Sequence, residues 1–118
     1  VSPFNSKVIR ASAGSIFRLP VITAKKTGGL EEISAKLRAQ NVRLIATSSH
    51  KGTSLDQANL TGPMAIFIGS EGAGLARGVL AQADELIAIP HNPQVESLNA
   101  GVAGSIILYE SARQRRFS

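Results

Sequence analysis

The stretch FIGSEGAGL, Phe67 to Leu75, follows a continuous apolar run and precedes a segment with helical character. It carries three glycines within six positions, at Gly69, Gly72 and Gly74. Each glycine costs backbone entropy on folding, so a glycine-rich turn after a strand is typical of a place where a ligand closely approaches main-chain N–H groups. A tight strand-to-helix turn without a ligand is the alternative that the stretch alone leaves open.

The spacing of these glycines disfavours the two common phosphate-binding loops. The dinucleotide fingerprint is G-x-G-x-x-G, whereas this stretch has G-x-x-G-x-G, and the G-K-[ST] of a P-loop is missing. Glu71 lies in the middle of the stretch, where its carboxylate would repel a phosphate. The same carboxylate could lie near a cationic ligand or accept a hydrogen bond from a hydroxyl or an amine. A nucleotide-dependent oxidoreductase therefore remains only as an alternative.

The composition indicates one globular domain, or part of one. The chain has 118 residues, of which 43% are hydrophobic and 18% charged, and only 4% are aromatic, so the core must be aliphatic. No apolar run approaches the roughly 18 residues of a membrane span, and the N-terminus lacks the apolar centre of a signal peptide. With no cysteine there is neither a disulfide framework nor a thiolate metal site. We expect a cytoplasmic protein without a membrane or metal partner.

The net charge of +5 favours a polyanionic partner, above all nucleic acid, although an ordinary solubilising surface is equally compatible with it. The basic residues form loose clusters without the interleaved aromatic residues on which single-stranded bases stack. Arg10 and Arg18 are the candidates for contacts with RNA phosphates.

Alternating apolar and amphipathic segments predict an α/β domain with a parallel sheet. Strands are predicted at 42–47, 64–69 and 85–90, with residues 17–22 as a candidate for a fourth. Helices are predicted at 6–15 with Ser6 as N-cap, at 30–40, at 74–82, and from Ser97 or Glu96 to about residue 113. The buried side of the last helix is expected to comprise Leu98, Val102, Ile106, Leu108 and Tyr109. Three or four strands are few for such a sheet, which suggests that the chain begins inside a larger domain.

A second stretch, IPHNPQVESLN at residues 89–99, also leaves a strand and enters a helix. Together with FIGSEGAGL and the continuation AGVAGSIILYE, it resembles motifs 2 and 3 of the SpoU/TrmH-type RNA 2′-O-ribose methyltransferases of the SPOUT superfamily. Residues 68–75 match motif 2, and residues 89–90, 95–99 and 107–110 match motif 3. The segment SPFNSKVIRASAGSIFRLP resembles the family's middle region, so the resemblance covers almost the whole chain.

The resemblance implies a SPOUT-type parallel sheet with helices on both faces and a C-terminal trefoil knot. It also implies S-adenosylmethionine as cofactor, rRNA or tRNA as substrate, and a homodimer to which the last helix contributes. Family members place a Glu, a Ser and an Asn near the methyl donor, which correspond here to Glu71, Ser97 and Asn99; for Ser97, helix capping is the alternative. The implied cofactor-binding residues are Thr47, Ile68, Gly69, Gly74, Ile89, Pro90 and Leu98.

One departure from the family pattern concerns motif 1, an Asn followed shortly by an Arg, which is not present in these residues. That Arg is usually assigned to activating or orienting the 2′-hydroxyl. We therefore expect residues 1–118 to be the C-terminal part of a catalytic domain whose N-terminal part is missing, able to bind cofactor but weakly active or inactive alone. A non-catalytic module that binds S-adenosylmethionine or RNA is the alternative. His50 and His91 are interpreted as solvated histidines in separate loops, since two histidines are too few for a zinc site.

Overall fold

The computed structural model describes residues 5–13, 15, 18–21, 29–69, 75, 77–92, 94 and 98–116. The elements of this part, in chain order, are α1 (Ser6–Ala11), α2 (Gly29–Ala39), β1 (Arg43–Ser48), β2 (Thr53–Ser54), a short 3-10 helix (Leu55–Gln57), β3 (Met64–Phe67), α3 (Arg77–Gln82), β4 (Glu85–Ala88) and α4 (Ala100–Arg116). All strand pairs are parallel, and the sheet has the order β2-β4-β1-β3. The predicted α/β class with a parallel sheet is confirmed.

The core is centred on β1, because this strand has a neighbour on each side and helices pack against it. Leu44, Ile45 and Ala46 are completely buried, as expected for a continuous apolar strand in a parallel sheet. Ile45 packs in one cluster with Ile87 of β4 and Ile107 of α4. Side chains alternate along a strand, so Leu44 points away from that cluster. Helices α2 and α3, which contact each other and β1, form a second layer.

Helix α2 confirms its prediction and leads directly into β1. Its first turn carries Glu31 and Glu32, which favour the positive end of the helix dipole. The helix ends because Asn41 adopts a left-handed conformation with φ of 62°, a common way to terminate a helix. The N–H of Val42 then donates to the carbonyl of Leu37 at 3.0 Å, and the chain enters β1.

The candidate fourth strand at 17–22 is wrong for residues 18–21, which form no strand, while Phe17 and Ile22 lie outside the described residues. The fourth strand is β2, in a segment interpreted from sequence as a polar loop. Thr53 and Ser54 pair with Ile87 and Ala88 of β4, and a two-residue polar strand leaves no apolar pattern to detect.

The boundaries of other elements also differ from the prediction, and β3 ends at Phe67, two residues before Gly69. Helix α1 ends at Ala11, and Ser6 is its first helical residue, so it is not the residue before the helix. Strand β4 ends at Ala88, two residues before Pro90. Helix α3 begins at Arg77, while Gly74 lies outside the described residues.

The predicted buried side of α4 is wrong. Ile107 and Ser111 are its buried residues, whereas Val102 is 50%, Leu108 66% and Tyr109 72% exposed. Helix α4 therefore packs through a narrow stripe and presents apolar side chains on its outer surface.

None of the helices in the described part of the chain is long and apolar enough to cross a membrane.

Candidate functional site at the carboxyl ends of the strands

The two glycine- and proline-containing stretches begin at the same edge of the sheet. In the register of the sheet, Ala46 of β1 is level with Phe67 of β3 and Leu86 of β4. Adjacent strands lie about 4.8 Å apart, so the ends of β3 and β4 are about 10 Å apart across β1. The carboxyl edge thus gathers Thr47, the start of FIGSEGAGL and the start of IPHNPQVESLN.

Thr47 lies at the end of β1, where its side chain contacts the glycine-rich stretch. Its hydroxyl donates a hydrogen bond to the carbonyl of Phe67 at 3.0 Å. The bond orients the first peptide of the stretch and leaves Thr47 half-buried between β1 and β3. This side chain therefore borders the place where a ligand at the strand ends would lie.

Ile68 and Gly69 lead from β3 towards α4. A Cβ atom added to Gly104 of α4 would lie 2.9 Å from the Cδ1 atom of Ile68, which is closer than side-chain carbons normally approach. Gly104 therefore lets the second turn of α4 approach the end of β3. Gly69 is half-buried, and residues 70–74, which include Glu71 and Gly74, lie outside the described residues.

The backbone that leaves β4 is held by local side chains. Ile89 packs against the core cluster, and its carbonyl lies 2.7 Å from Nδ1 of His91. A carbonyl can only accept a hydrogen bond, so Nδ1 of His91 carries the proton. Pro90 is exposed, and the side-chain oxygen of Asn92 accepts a hydrogen bond from the N–H of Gln94 at 2.9 Å.

Asn99 is the N-cap of α4. Its side-chain oxygen accepts hydrogen bonds from the N–H groups of Gly101 at 2.9 Å and Val102 at 3.2 Å, and its carbonyl accepts from Ala103 at 2.9 Å. The sequence predicts that Ser97 or Glu96 begins the helix. In the structure the helix begins at Ala100, and Ser97 and Glu96 lie outside the described residues. Since the Asn99 oxygen is engaged in capping, a contact between Asn99 and a substrate would be made by its amide nitrogen. Leu98, half-buried, directly precedes the cap.

The second half of α4 makes polar contacts that sequence reasoning missed. Glu110 accepts hydrogen bonds from Arg113 at 2.7 and 2.8 Å and from Gln114 at 2.9 Å, and these bonds lower the pKa of Glu110 to about 2. Gln114 also accepts from the N–H of Leu60 at 2.7 Å and donates to the carbonyl of Ala58 at 2.9 Å. The three- and four-residue spacing of these side chains on a helix was the available signal. Gln114 therefore connects α4 to residues 58–60, and the Glu of the ILYE segment has a structural role because it bonds the Gln114 side chain.

The sequence predicts that His50 and His91 are solvated in separate loops, but the structure brings their rings together. The rings of His50 and His91 stack, with centroids 4.6 Å apart and planes inclined by 30°. His50 follows β1 and His91 follows β4, so their contact joins two loops at the carboxyl edge. Among the described residues no group of three potential metal ligands comes together.

Arg10 and Arg18, the candidate RNA contacts, are both exposed. Arg10 lies in the last turn of α1, and the N–H of Arg18 donates to the carbonyl of Ser15 at 2.9 Å. Both are therefore accessible to a polyanion.

A shallow depression of about 430 Å³ lies at the opposite edge of the sheet, where β1 begins. Its lining residues are Arg38, Asn41, Val42, Arg43 and Asp84. Arg38 forms a salt bridge of 3.0 Å with Asp84, and Arg43 lies 3.9 Å from Glu85, so the positive charges there are balanced. This depression is separate from the candidate site.

Comparison with known sequences supports the assignment made from the motifs. The SpoU rRNA Methylase family model matches residues 1–109. An uncharacterized tRNA/rRNA methyltransferase of Mycobacterium leprae is 43% identical over 107 residues, which is 91% of this chain and 34% of the relative. One of Synechocystis is 38% identical over 115 residues, which is 98% of this chain and 41% of the relative. The chain thus spans less than half the length of these relatives.

Solved structures with the same fold include two bound to S-adenosylmethionine. The SpoU methyltransferase AviRb of Streptomyces viridochromogenes, in complex with that cofactor, superposes with a TM-score of 0.88 at 31% identity, over 100% of this chain and 47% of the neighbour. The cofactor-bound rRNA methyltransferase of Sinorhizobium meliloti has a TM-score of 0.83 at 29% identity, over 96% and 42% of the two chains. The four-stranded parallel sheet with its helices is the arrangement of these enzymes, and the chain belongs to the SpoU rRNA methylase family.

Proposed function

We propose that this chain forms the cofactor-binding and catalytic part of an RNA 2′-O-ribose methyltransferase that acts on rRNA or tRNA. The observation that carries the proposal is the convergence of Thr47 with the first residues of the 67–75 stretch and of the 89–99 stretch at one edge of the sheet. Family membership supports it, as do two solved neighbours in complex with S-adenosylmethionine and a third described as an RNA 2′-O-ribose methyltransferase.

The described residues at this edge have the chemistry that an adenosyl group needs. Ile68, Ile89 and Leu98 are partly exposed apolar side chains that could contact a flat, largely apolar base. Gly69 has no side chain to block main-chain contacts at the end of β3. We assign the cofactor to these residues together with Thr47, Gly74 and Pro90, and we propose that the chain around them forms a trefoil knot.

The cofactor supplies a methyl group on a positively charged sulfur, which is an excellent leaving group. The protein then has two tasks, which are to hold the ribose hydroxyl in line with the methyl carbon and to remove its proton. We assign the orienting contacts to Glu71, Ser97 and Asn99. For Asn99 the contact is made by the amide nitrogen, because the oxygen caps α4.

The motif 1 Arg does not occur in these 118 residues, so the group usually assigned to hydroxyl activation is not supplied by them. We therefore propose that residues 1–118 bind cofactor and have weak or no turnover by themselves. The same observation favours the second candidate function, a non-catalytic module that binds S-adenosylmethionine or RNA.

The exposed apolar face of α4 supports the expected homodimer. Val102, Ile106 and Tyr109 recur at helical spacing on one side of this helix and are all more than a third exposed, and Leu108 is exposed on another side. A second copy would remove this area from water, which is the main favourable contribution to most associations. We propose that the protein is a cytoplasmic homodimer. We also propose that phosphates of its RNA substrate contact Arg10 and Arg18.

The proposal is tested by calorimetric titration of S-adenosylmethionine, followed by transfer of a labelled methyl group to rRNA or tRNA. Leu98→Ala should weaken cofactor binding about tenfold, since it removes an apolar contact with the base, and Leu80→Ala on the exposed side of α3 is the matched control. Cofactor binding without methyl transfer, even after a segment with motif 1 is joined to the chain, would establish the non-catalytic module. Absence of cofactor binding would refute the methyltransferase, and absence of RNA binding as well would refute the non-catalytic module.

A further inference from the structure

Helix α4 faces the sheet with a narrow stripe, and Gly104 lies at the end of this stripe beside the candidate site. The buried residues of the helix, Ile107 and Ser111, follow three and seven positions later and so lie on the same side as Gly104. Ile107 belongs to the core cluster, whereas Gly104 is half-buried and lies about one turn closer to the start of the helix. The stripe therefore reaches the carboxyl edge with a residue that has no side chain.

Ile68 lies opposite Gly104, on the face of the sheet that α4 covers. Met64 and Ile66 of β3 pack against the core cluster that contains Ile107. Side chains two positions apart along a strand share a face, and Ile68 follows at the same spacing just beyond the end of β3. Its Cδ1 atom would lie 2.9 Å from a Cβ atom added to Gly104, so the end of this side chain rests directly on the helix backbone.

This contact leaves no room for a side chain at position 104. Ordinary contacts of a Cβ atom measure 3.4–4 Å, so the Cδ1 atom of Ile68 would have to move by at least about 0.5 Å to admit the methyl group of an alanine. The Ile68 side chain is bordered by α4 on one side and is 37% exposed elsewhere. Because Cδ1 is the end of a side chain that rotates between staggered positions, it would move away from α4 towards its exposed side.

The backbone does not require a glycine at position 104. The residue lies inside α4, and among the described glycines only Gly52 and Gly62 have a positive φ. Glycine in the interior of a helix is less favourable than alanine. Its presence is therefore explained by the space that Ile68 occupies and not by the conformation of the helix.

We infer that Gly104 is a positioning residue of the cofactor site. Because it has no side chain, the Ile68 side chain lies against α4 and leaves the space beyond the end of β3 open to the adenosyl group. A side chain at position 104 would move Ile68 into that space. The inference rests on the proposed function, because Ile68 is one of the residues assigned above to the cofactor, and Gly104 acts through Ile68 without touching the cofactor itself.

The test is a double-mutant cycle of Gly104→Ala and Ile68→Val, measured by calorimetric titration of S-adenosylmethionine. Gly104→Ala should weaken cofactor binding about fivefold, whereas its midpoint of thermal unfolding should stay the same or rise because alanine favours the helix. Ile68→Val removes the Cδ1 atom itself, and alone it should weaken binding about twofold or less. In the Ile68→Val background, Gly104→Ala should then change the affinity by less than about twofold.

Ser105→Ala is the matched control, because it also places an alanine in the first half of α4 but at an exposed position, and its affinity should equal that of the unmodified protein. Equal cofactor affinity of Gly104→Ala and the unmodified protein would overturn the inference. An equal loss of affinity from Gly104→Ala in both backgrounds would also overturn it, since the loss would then come from a distortion of α4 and not from the Ile68 methyl group.

Nuclear magnetic resonance of the protein without ligand reports the contact independently of the cofactor. The δ1-methyl signal of Ile68, assigned by its disappearance in Ile68→Val, should show a nuclear Overhauser effect to the α-protons of Gly104, and its carbon shift should change in Gly104→Ala. Absence of that effect would overturn the inference. If the methyl contact is present but the unmodified protein binds no S-adenosylmethionine, the proposed function is refuted, and the role of Gly104 at that site with it.

Discussion

Asn99 allows the structural and the chemical contributions of one side chain to be separated. Its oxygen accepts two hydrogen bonds from the first turn of α4, at 2.9 and 3.2 Å. Replacing an N-cap Asn by Ala costs about 1 kcal/mol. In a domain of this size that loss corresponds to a fall of about 4 °C in the midpoint of thermal unfolding. We expect this change for Asn99→Ala, measured by circular dichroism at the helix band.

Asn99→Asp provides the comparison, because aspartate caps helices as well as asparagine does and its charge favours the helix N-terminus. Its free energy of unfolding should therefore remain within about 0.5 kcal/mol of the unmodified protein. The substitution nevertheless removes the amide N–H donors. In a form of the chain to which a segment with motif 1 has been joined, loss of one substrate hydrogen bond of about 1.4 kcal/mol would lower methyl transfer about tenfold.

Ser105→Ala is the control for these variants, since Ser105 is exposed on the same helix and donates to the Gly101 carbonyl. Unchanged thermal stability of Asn99→Ala would refute the cap. Full methyl transfer by a stable Asn99→Asp variant would refute the assignment of the amide nitrogen to the substrate.

Three further predictions concern the loop after β1, the polar contacts of α4 and its exposed face. Gly52→Ala should destabilise the protein by at least about 2 kcal/mol in urea unfolding, since its Cβ would overlap the Leu86 carbonyl at a positive φ; an unchanged midpoint would contradict the close approach. The pKa of Glu110 falls from 4.5 to about 2 on folding, so its carboxylate stabilises the folded state above about pH 4.5, and this contribution is lost as pH falls through about 2. Glu110→Gln should therefore lose less stability than the unmodified protein between pH 5 and pH 2, measured as urea midpoints at several pH values. Identical dependence of the urea midpoint on pH in the two proteins would exclude the contacts of Glu110 with Arg113 and Gln114. Tyr109→Glu should convert the proposed dimer to monomer in sedimentation velocity, whereas a dimer that persists would place the interface elsewhere.

The elements predicted from sequence were those whose pattern is local. The apolar strand at 42–47 and the amphipathic helix at 30–40 each carry their own periodicity, and both were found with ends shifted by about one residue. Strand β2 could not be predicted because Thr53 and Ser54 are polar and acquire strand structure only by pairing with β4. The strand structure of β2 depends on a tertiary contact, and such a contact leaves no local pattern in the sequence.

The outer face of α4 was misread for a related reason. Val102, Ile106 and Tyr109 recur at helical spacing and are apolar, which normally indicates a buried side. In this chain Ile107 fills the core instead, and the others face outward. Periodicity identifies an apolar face but does not identify what covers it. The motifs predict which residue types follow the strand ends, and their roles in the site stay predictions. The stacking of His50 on His91 could not be predicted, because it depends on loops that only the fold brings together.

The order of strands in the sheet has a consequence for how the chain acquires its structure. None of the four described strands pairs with the next one along the chain: Arg43 pairs with Met64 and Ile45 with Glu85, about 20 and about 40 positions further on. Every pairing must therefore close a long segment before any ladder is gained, and such topologies fold slowly compared with helical bundles. During synthesis, the apolar central strand leaves the ribosome before its second partner is made, so one of its edges is still unpaired at that stage.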